Sequence, residues 1–122
     1  MSKSYRVKCQ NCSAVTINGH AAHEQGCHGH MEYIDKRGRV FVKYDVWSLD
    51  VWGNARDGFE VNDRQRCGSI MVSILAEDKD VIRALKRADL LSRRCHFNSF
   101  RVDDTGIESA KTGEPIYQLE RV

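Results

Sequence analysis

Arg39-Val40-Phe41-Val42-Lys43-Tyr44-Asp45-Val46-Trp47-Ser48-Leu49-Asp50-Val51-Trp52 is the stretch from which the rest of the chain can be ordered. Side chains of a strand alternate between its two faces, so Val40, Val42, Tyr44 and Val46 share one face. After Val46 the phase changes, and Trp47, Leu49 and Val51 continue on the opposite side. A bulge or bend near Val46 and Trp47 accounts for that slip. Trp52-Gly53-Asn54 and Arg56-Asp57-Gly58 supply turn chemistry, and Phe59 with Val61 resume the alternation, so a hairpin is expected. Ile70, Val72 and Ile74 form a third short apolar alternation.

A helix is expected from Asp78 to about Leu91. Val81, Leu85, Ala88 and Leu91 recur at three- and four-residue steps. Glu77, Asp78 and Asp80 place negative charge at its start, and Arg93 and Arg94 suit its end. Beyond it, Phe100 and Val102 open a strand, Asp103-Asp104-Thr105-Gly106 turns, and Ile107 to Ala110 continues. Lys111-Thr112-Gly113-Glu114 turns again, and Ile116 to Val122 forms a last strand with the only proline, Pro115, at its start. The expected fold class is therefore α+β: a small N-terminal zinc-stapled segment, residues 1–30, followed by a mostly antiparallel sheet with one packed helix, residues 31–122. Residues His28 to Lys36 are the expected hinge between the two.

The zinc reading rests on Cys9, Cys12, His23 and Cys27. Two thiolates separated by two residues can reach one ion from a tight turn, and His23 with Cys27 four residues on can complete a tetrahedron. Thiolate and imidazole favour zinc over magnesium or calcium, which would need carboxylates. Glu24 is the only acidic residue between Met1 and His30. His23 is the preferred histidine, while His20, His28 and His30 stand close enough in sequence to replace it or to act as secondary donors. Four protein ligands leave no open position for water, so the zinc is read as structural.

At 122 residues the chain has room for one modest core and a small appendage. Its hydrophobic fraction is 41% and its charged fraction 30%, with a formal net charge of +2. So small an excess does not announce a nucleic-acid binder, and the local distribution matters more. Residues 1–30 carry +2, 31–66 balance, 67–100 carry +2 and 101–122 carry −2. On the helix, Arg83, Lys86 and Arg87, followed by Arg93 and Arg94, form a candidate binding surface opposite the apolar side, for which a solvated face is the plainer reading. Five cysteines and no apolar run of signal-peptide or membrane-span length point to a reducing cytoplasm. Cys67 and Cys95 are expected to be small buried hydrophobes.

Two stretches also carry a resemblance. Cys9-x2-Cys12, then Ile17-Asn18-Gly19 and His23-Glu24-Gln25-Gly26-Cys27, is similar to a zinc segment of small uncharacterised bacteriophage proteins. Asp50-Val51-Trp52-Gly53-Asn54-Ala55-Arg56-Asp57-Gly58-Phe59-Glu60-Val61-Asn62-Asp63, with Lys111-Thr112-Gly113-Glu114-Pro115, resembles a second small phage protein type. Where the zinc segment of the first type would continue with proline, this chain has His28. The resemblance implies phage origin, zinc on the four named ligands and action in the cytoplasm of a bacterial host; it assigns no catalytic residue.

The leading expectation is a non-catalytic binding protein acting on a host protein or nucleoprotein complex, a defence inhibitor such as an anti-CRISPR being one concrete version. The alternative is a zinc-stabilised nucleic-acid-binding protein, with Lys3, Arg6 and Lys8 beside the zinc turn, and Arg83, Lys86, Arg87, Arg93 and Arg94 on the helix, contacting phosphates. Tyr5, Trp47, Trp52 and Phe59 could stack on bases in that reading, although core packing or strand pairing is the expected role of each. A metal-dependent hydrolase ranks third. His20-Ala21-Ala22-His23-Glu24 is not the zinc-protease arrangement, and neither a phosphate loop nor a serine elbow occurs.

Overall fold

A computed structural model describes residues 6–9, 15–17 and 31–122. These residues build a mostly antiparallel sheet of strands β1 (Arg6–Cys9), β2 (Val15–Ile17), β3 (Met31–Ile34), β4 (Val40–Asn54), β5 (Gly58–Ser73), β6 (Phe100–Val102), β7 (Gly106–Ser109) and β8 (Pro115–Arg121). One α-helix, α1 (Asp78–Arg87), and a short 3-10 helix, Phe97–Ser99, lie between β5 and β6 in the chain. The spatial order is β2-β1-β3-β4-β8-β7-β6, with β5 on the other edge of β4. Met31–Ile34, inside the expected hinge, is instead a strand: Glu32 to Ile34 pair with Val42 to Val40, and Arg6 to Cys9 pair with Ile34 to Met31.

Strand β4 organises the sheet. Along one edge it pairs with β5 from Phe41–Ser73 to Asn54–Gly58. Its other edge meets β3 at Val40 to Val42 and then β8 at Tyr44 to Ser48. The expected irregularity at Val46/Trp47 is present, and a second falls at Asp50/Val51. In both, the extra residue belongs to β5: Val46 faces Gly68 and Trp47 faces Arg66, which leaves out Cys67, and Asn62 is left out between Asp63 and Val61. Phe59–Val61 and Ile70–Ile74, separate runs in the sequence reading, thus lie on or just past one 16-residue strand that the bulges bend without interrupting. Among the described residues β5 pairs only with β4, so its outer edge is open.

Helix α1 covers the Val42 and Val46 face. Val42, Val46, Ile70, Val72 and Ile107 from the sheet and Ile82 and Leu85 from the helix form the buried core, with Val46 and Leu85 at zero exposure. Each such aliphatic side chain contributes about 1.5–3 kcal/mol by leaving water. The helix is shorter than its apolar repeat suggests. It stops at Arg87, with the cap at Ala88 and Asp89 in the left-handed region at φ 59°. The Asp89 amide donates to the Lys86 carbonyl (3.1 Å) and the Leu90 amide to that of Leu85 (2.9 Å), a Schellman closure. Leu91 therefore packs on the core from a loop, and Ala88 is exposed. At the other end Glu77 donates its backbone N–H to Asp80 Oδ2 (3.0 Å).

Two details fix the C-terminal strands. Gly106 sits so close to β8 that a Cβ would lie 2.1 Å from the Tyr117 carbonyl oxygen, so only glycine fits there. Asp103 closes the preceding turn by accepting from the Thr105 hydroxyl (2.8 Å), the Thr105 amide (2.8 Å) and the Gly106 amide (2.9 Å). The Thr105 hydroxyl first, then these amides, hold the Asp103 carboxyl below the usual carboxylate range, against an opposing effect of burial.

Two outcomes follow. Because Asp89 holds a backbone conformation that costs an L-residue energy, and places a negative charge at the helix C-terminus, Asp89→Gly should raise stability by about 0.5–1 kcal/mol in urea titration. A lowered carboxyl pKa stabilises the fold fully above the unfolded value and loses that contribution as pH falls through the folded one. Wild-type protein should therefore lose more stability than Asp103→Asn when titrated below about pH 4, measured as Tm against pH.

Candidate functional site

On the sheet face opposite α1, charged side chains gather around Trp47. Immediately after the buried Val46, Trp47 projects to this side, level with Arg66 on β5 and Gln118 on β8. The Arg64 guanidinium stacks over the Trp47 ring at 4.0 Å, and its Nη1 donates to Gln118 Oε1 (3.0 Å) and Glu120 Oε2 (2.8 Å). Arg66 pairs with Asp45 at 3.1 Å. Individually these exposed contacts are worth about 1 kcal/mol or less, but together they commit both arginines to carboxylates of the same face. The face therefore alternates in sign and does not form a strip of free cations.

Beyond Ser48, β4 leaves β8 and continues with β5 alone as a two-stranded arm. Its tip is held by Asn54, whose Oδ1 accepts from the amides of Arg56 and Asp57 (both 3.0 Å) and whose Nδ2 donates to Asp57 (3.3 Å). At Gly53, φ is 106° and a Cβ would stand 2.2 Å from the Gly58 carbonyl oxygen, so the chain crosses there only as glycine. The arm presents Trp52 at 64% exposure and Val61 at 51%. Around them lie Asp50, Arg56, Asp57, Glu60 and Asp63, and Asn62 donates to Asp50 (3.2 Å). A cleft of about 330 Å³ opens at the base of the arm, between Leu49 and Val61 on one side and Ile107, Pro115 and Tyr117 on the other.

The five helix-side cations divide into two groups. Arg83 pairs with Asp80 (3.3 Å) and lies 5.3 Å from the Phe97 ring centre, while Lys86 stands 4.2 Å over the same ring and donates to the Cys95 carbonyl. Both therefore clamp the loop that follows the helix. Arg87 and Arg94 are exposed at its C-terminal end, where peptide carbonyls favour cations. Arg93 approaches Asp89 only to 3.9 Å, both side chains being about four-fifths exposed. The structure thus does not present Arg83, Lys86, Arg87, Arg93 and Arg94 as one uniform patch.

Other expectations change as well. Cys67 is exposed because it is the extra residue of the bulge, its thiol donating to the Val46 carbonyl (3.4 Å); Cys95 is half-buried. Trp52, expected in the core or in strand pairing, does pair within the arm but exposes its ring. Arg64 and Arg66 were missed as site residues. Their alternation on a strand opposite Trp47 was the available signal, although Gln118 and Glu120 lie more than fifty positions away.

Of the zinc quartet, Cys9 ends β1, whereas Cys12, His23 and Cys27 lie outside the described residues, as do His20, His28, His30, Lys3 and Tyr5. Cys9 pairs with Met31 in the register of β1 and β3. No helix among the described residues is long and apolar enough to cross a membrane. Compared with protein-family models, curated proteins and solved structures, the chain matches none.

Elemental analysis of purified protein should find about one zinc per chain, and Cys12→Ser or Cys27→Ser should remove it. Among single histidine-to-alanine variants, His23→Ala should lose the metal while His20→Ala, His28→Ala and His30→Ala retain it.

Proposed function

We propose that this is a non-catalytic binding protein, phage-encoded, which docks on a protein or nucleoprotein complex of a bacterial host, with zinc as a structural staple. The observation that carries the reading is the arm. A large aromatic side chain stands out on a two-stranded projection whose tip is fixed by Asn54, flanked by charges of both signs. Tryptophan held in this way can enter a partner's pocket with little loss of conformational freedom, and mixed charges select the partner and its orientation. The resemblance of the arm sequence to small phage proteins supports a host target, and inhibition of a defence complex of the CRISPR type is the most concrete form.

Direct nucleic-acid binding is the second reading, favoured by the exposed Arg87, Arg93 and Arg94. It is weakened by the pairing of Arg64, Arg66 and Arg83 with carboxylates and of Lys86 with a carbonyl.

Tagged protein recovered from a bacterial host that carries active defence systems, with and without nuclease, tests the two. A stoichiometric host protein should survive nuclease with wild type and be lost with Trp52→Ala, whose Tm should stay within about 2 °C of wild type because the ring is largely exposed. Loss of all partners on digestion, or their release by an Arg87→Glu/Arg93→Glu/Arg94→Glu variant while Trp52→Ala retains them, would favour nucleic acid instead.

A further inference from the structure

The register of the arm sorts its side chains by face. Trp52 stands directly opposite Glu60, and Asp50 directly opposite Asp63, so these four residues share one face of the two-stranded ribbon. Val51 with Val61, Gly53 with Phe59 and Leu49 with Arg64 pair in the same way and occupy the other. Between Asp50 and Asp63 the chain carries four carboxylates and a single cation, Arg56, which lies in the tip turn. Arg64 and Arg66, the next cations along β5, belong to the Trp47 face. The Trp52 face is thus an exposed aromatic ring among three carboxylates, Asp50, Glu60 and Asp63, none of which has a cationic partner among the described residues.

Like charges set directly opposite on a strand pair repel, so Asp50 and Asp63 cost the free protein stability that a cation from outside would restore. The molecule itself shows which cation suits such a face. On the other side the Arg64 guanidinium lies over the Trp47 ring at 4.0 Å and donates to Glu120 Oε2 at 2.8 Å. There the indole supplies a π surface, the carboxylate supplies an acceptor, and arginine satisfies both. Trp52 with Glu60 across the strand repeats the indole and the carboxylate and leaves the arginine out.

We propose that the Trp52 face of the arm is a docking surface for an arginine-rich segment of a protein partner, with one guanidinium stacked on Trp52 and paired with Glu60 and further cations on Asp50 and Asp63. The inference rests on the docking reading above and names the chemistry of the surface that the arm meets. Lysine is the poorer occupant, because an ammonium can neither stack flat on an indole nor hold a carboxylate with two parallel N–H bonds.

The test is a ¹H–¹⁵N titration of the full chain with nona-arginine and nona-lysine. The arginine peptide should produce saturable shifts at the amides of Asp50, Trp52, Glu60 and Asp63 and at the Trp52 indole N–H, with nona-lysine at least about threefold weaker. Trp52→Ala should weaken arginine-peptide binding about threefold. An Asp50→Asn/Glu60→Gln/Asp63→Asn variant should weaken it about tenfold. Shifts centred away from the arm, no saturable shift, equal affinity for the two peptides, or unchanged affinity in the neutral variant would each overturn the proposal. The peptide comparison and the mapping are made on wild-type protein, so they hold even where the neutral variant does not fold. In the recovery from a bacterial host, a partner lost with Trp52→Ala but kept by the neutral variant would also overturn it while leaving the docking reading intact. Arginine-peptide binding on the arm with no host protein recovered would uphold this surface and overturn the docking reading alone.

Discussion

The alternation of side chains along β4 is the constraint on which the other elements depend. That strand bonds to β3, β5 and β8, and whichever of its faces takes Val42 and Val46 is the one α1 must cover. A slip of one residue would bring Trp47 and Asp45 under the helix and turn Val46 outward, reversing the chemistry of both faces at once. The two bulges on β5 let the longest pair of strands in the chain bend while that assignment is kept. They place Arg66 beside Asp45 and Trp47, and Arg64 within reach of the Trp47 ring.

Much of this was legible in the sequence because it is local. The phase change after Val46, the turn residues at Gly53 and Gly58, the start of α1 at Asp78 and the turns at Asp103–Gly106 and Lys111–Glu114 all reflect chemistry within a few residues. What was missed depends on neighbours distant in the chain. Met31–Ile34 is short and forms a strand because β1 and β4 supply both its edges. The helix ends before its apolar repeat does because Asp89 adopts a left-handed conformation that periodicity cannot report. The cations of the helix were legible as charges, but their division was not, since Phe97 collects Arg83 and Lys86 only once the following loop folds back. The proposed zinc ligands rest on spacing alone and, apart from Cys9, fall outside the described residues.

One turn borders two hollows of the surface. Asp103 borders both the cleft beside Leu49 and Val61 and the space reached by Arg121, and its carboxylate holds that turn shut through three hydrogen bonds. Gly106, pressed against the Tyr117 carbonyl, leaves the turn little freedom to shift on β8. The two hollows thus have a common wall in this turn.

The open outer edge of β5 has a further consequence. A flat strand of 16 residues with free amides and carbonyls would template addition of a further strand, and copies of the chain would join edge to edge into fibres. Here the edge is interrupted at Asn62 and Cys67, and Glu60, Asp63, Arg64 and Arg66 are spaced along it. An incoming strand would find its register broken twice and charges desolvated at several steps. The same irregularities that bend β5 therefore also guard its open edge against strand addition.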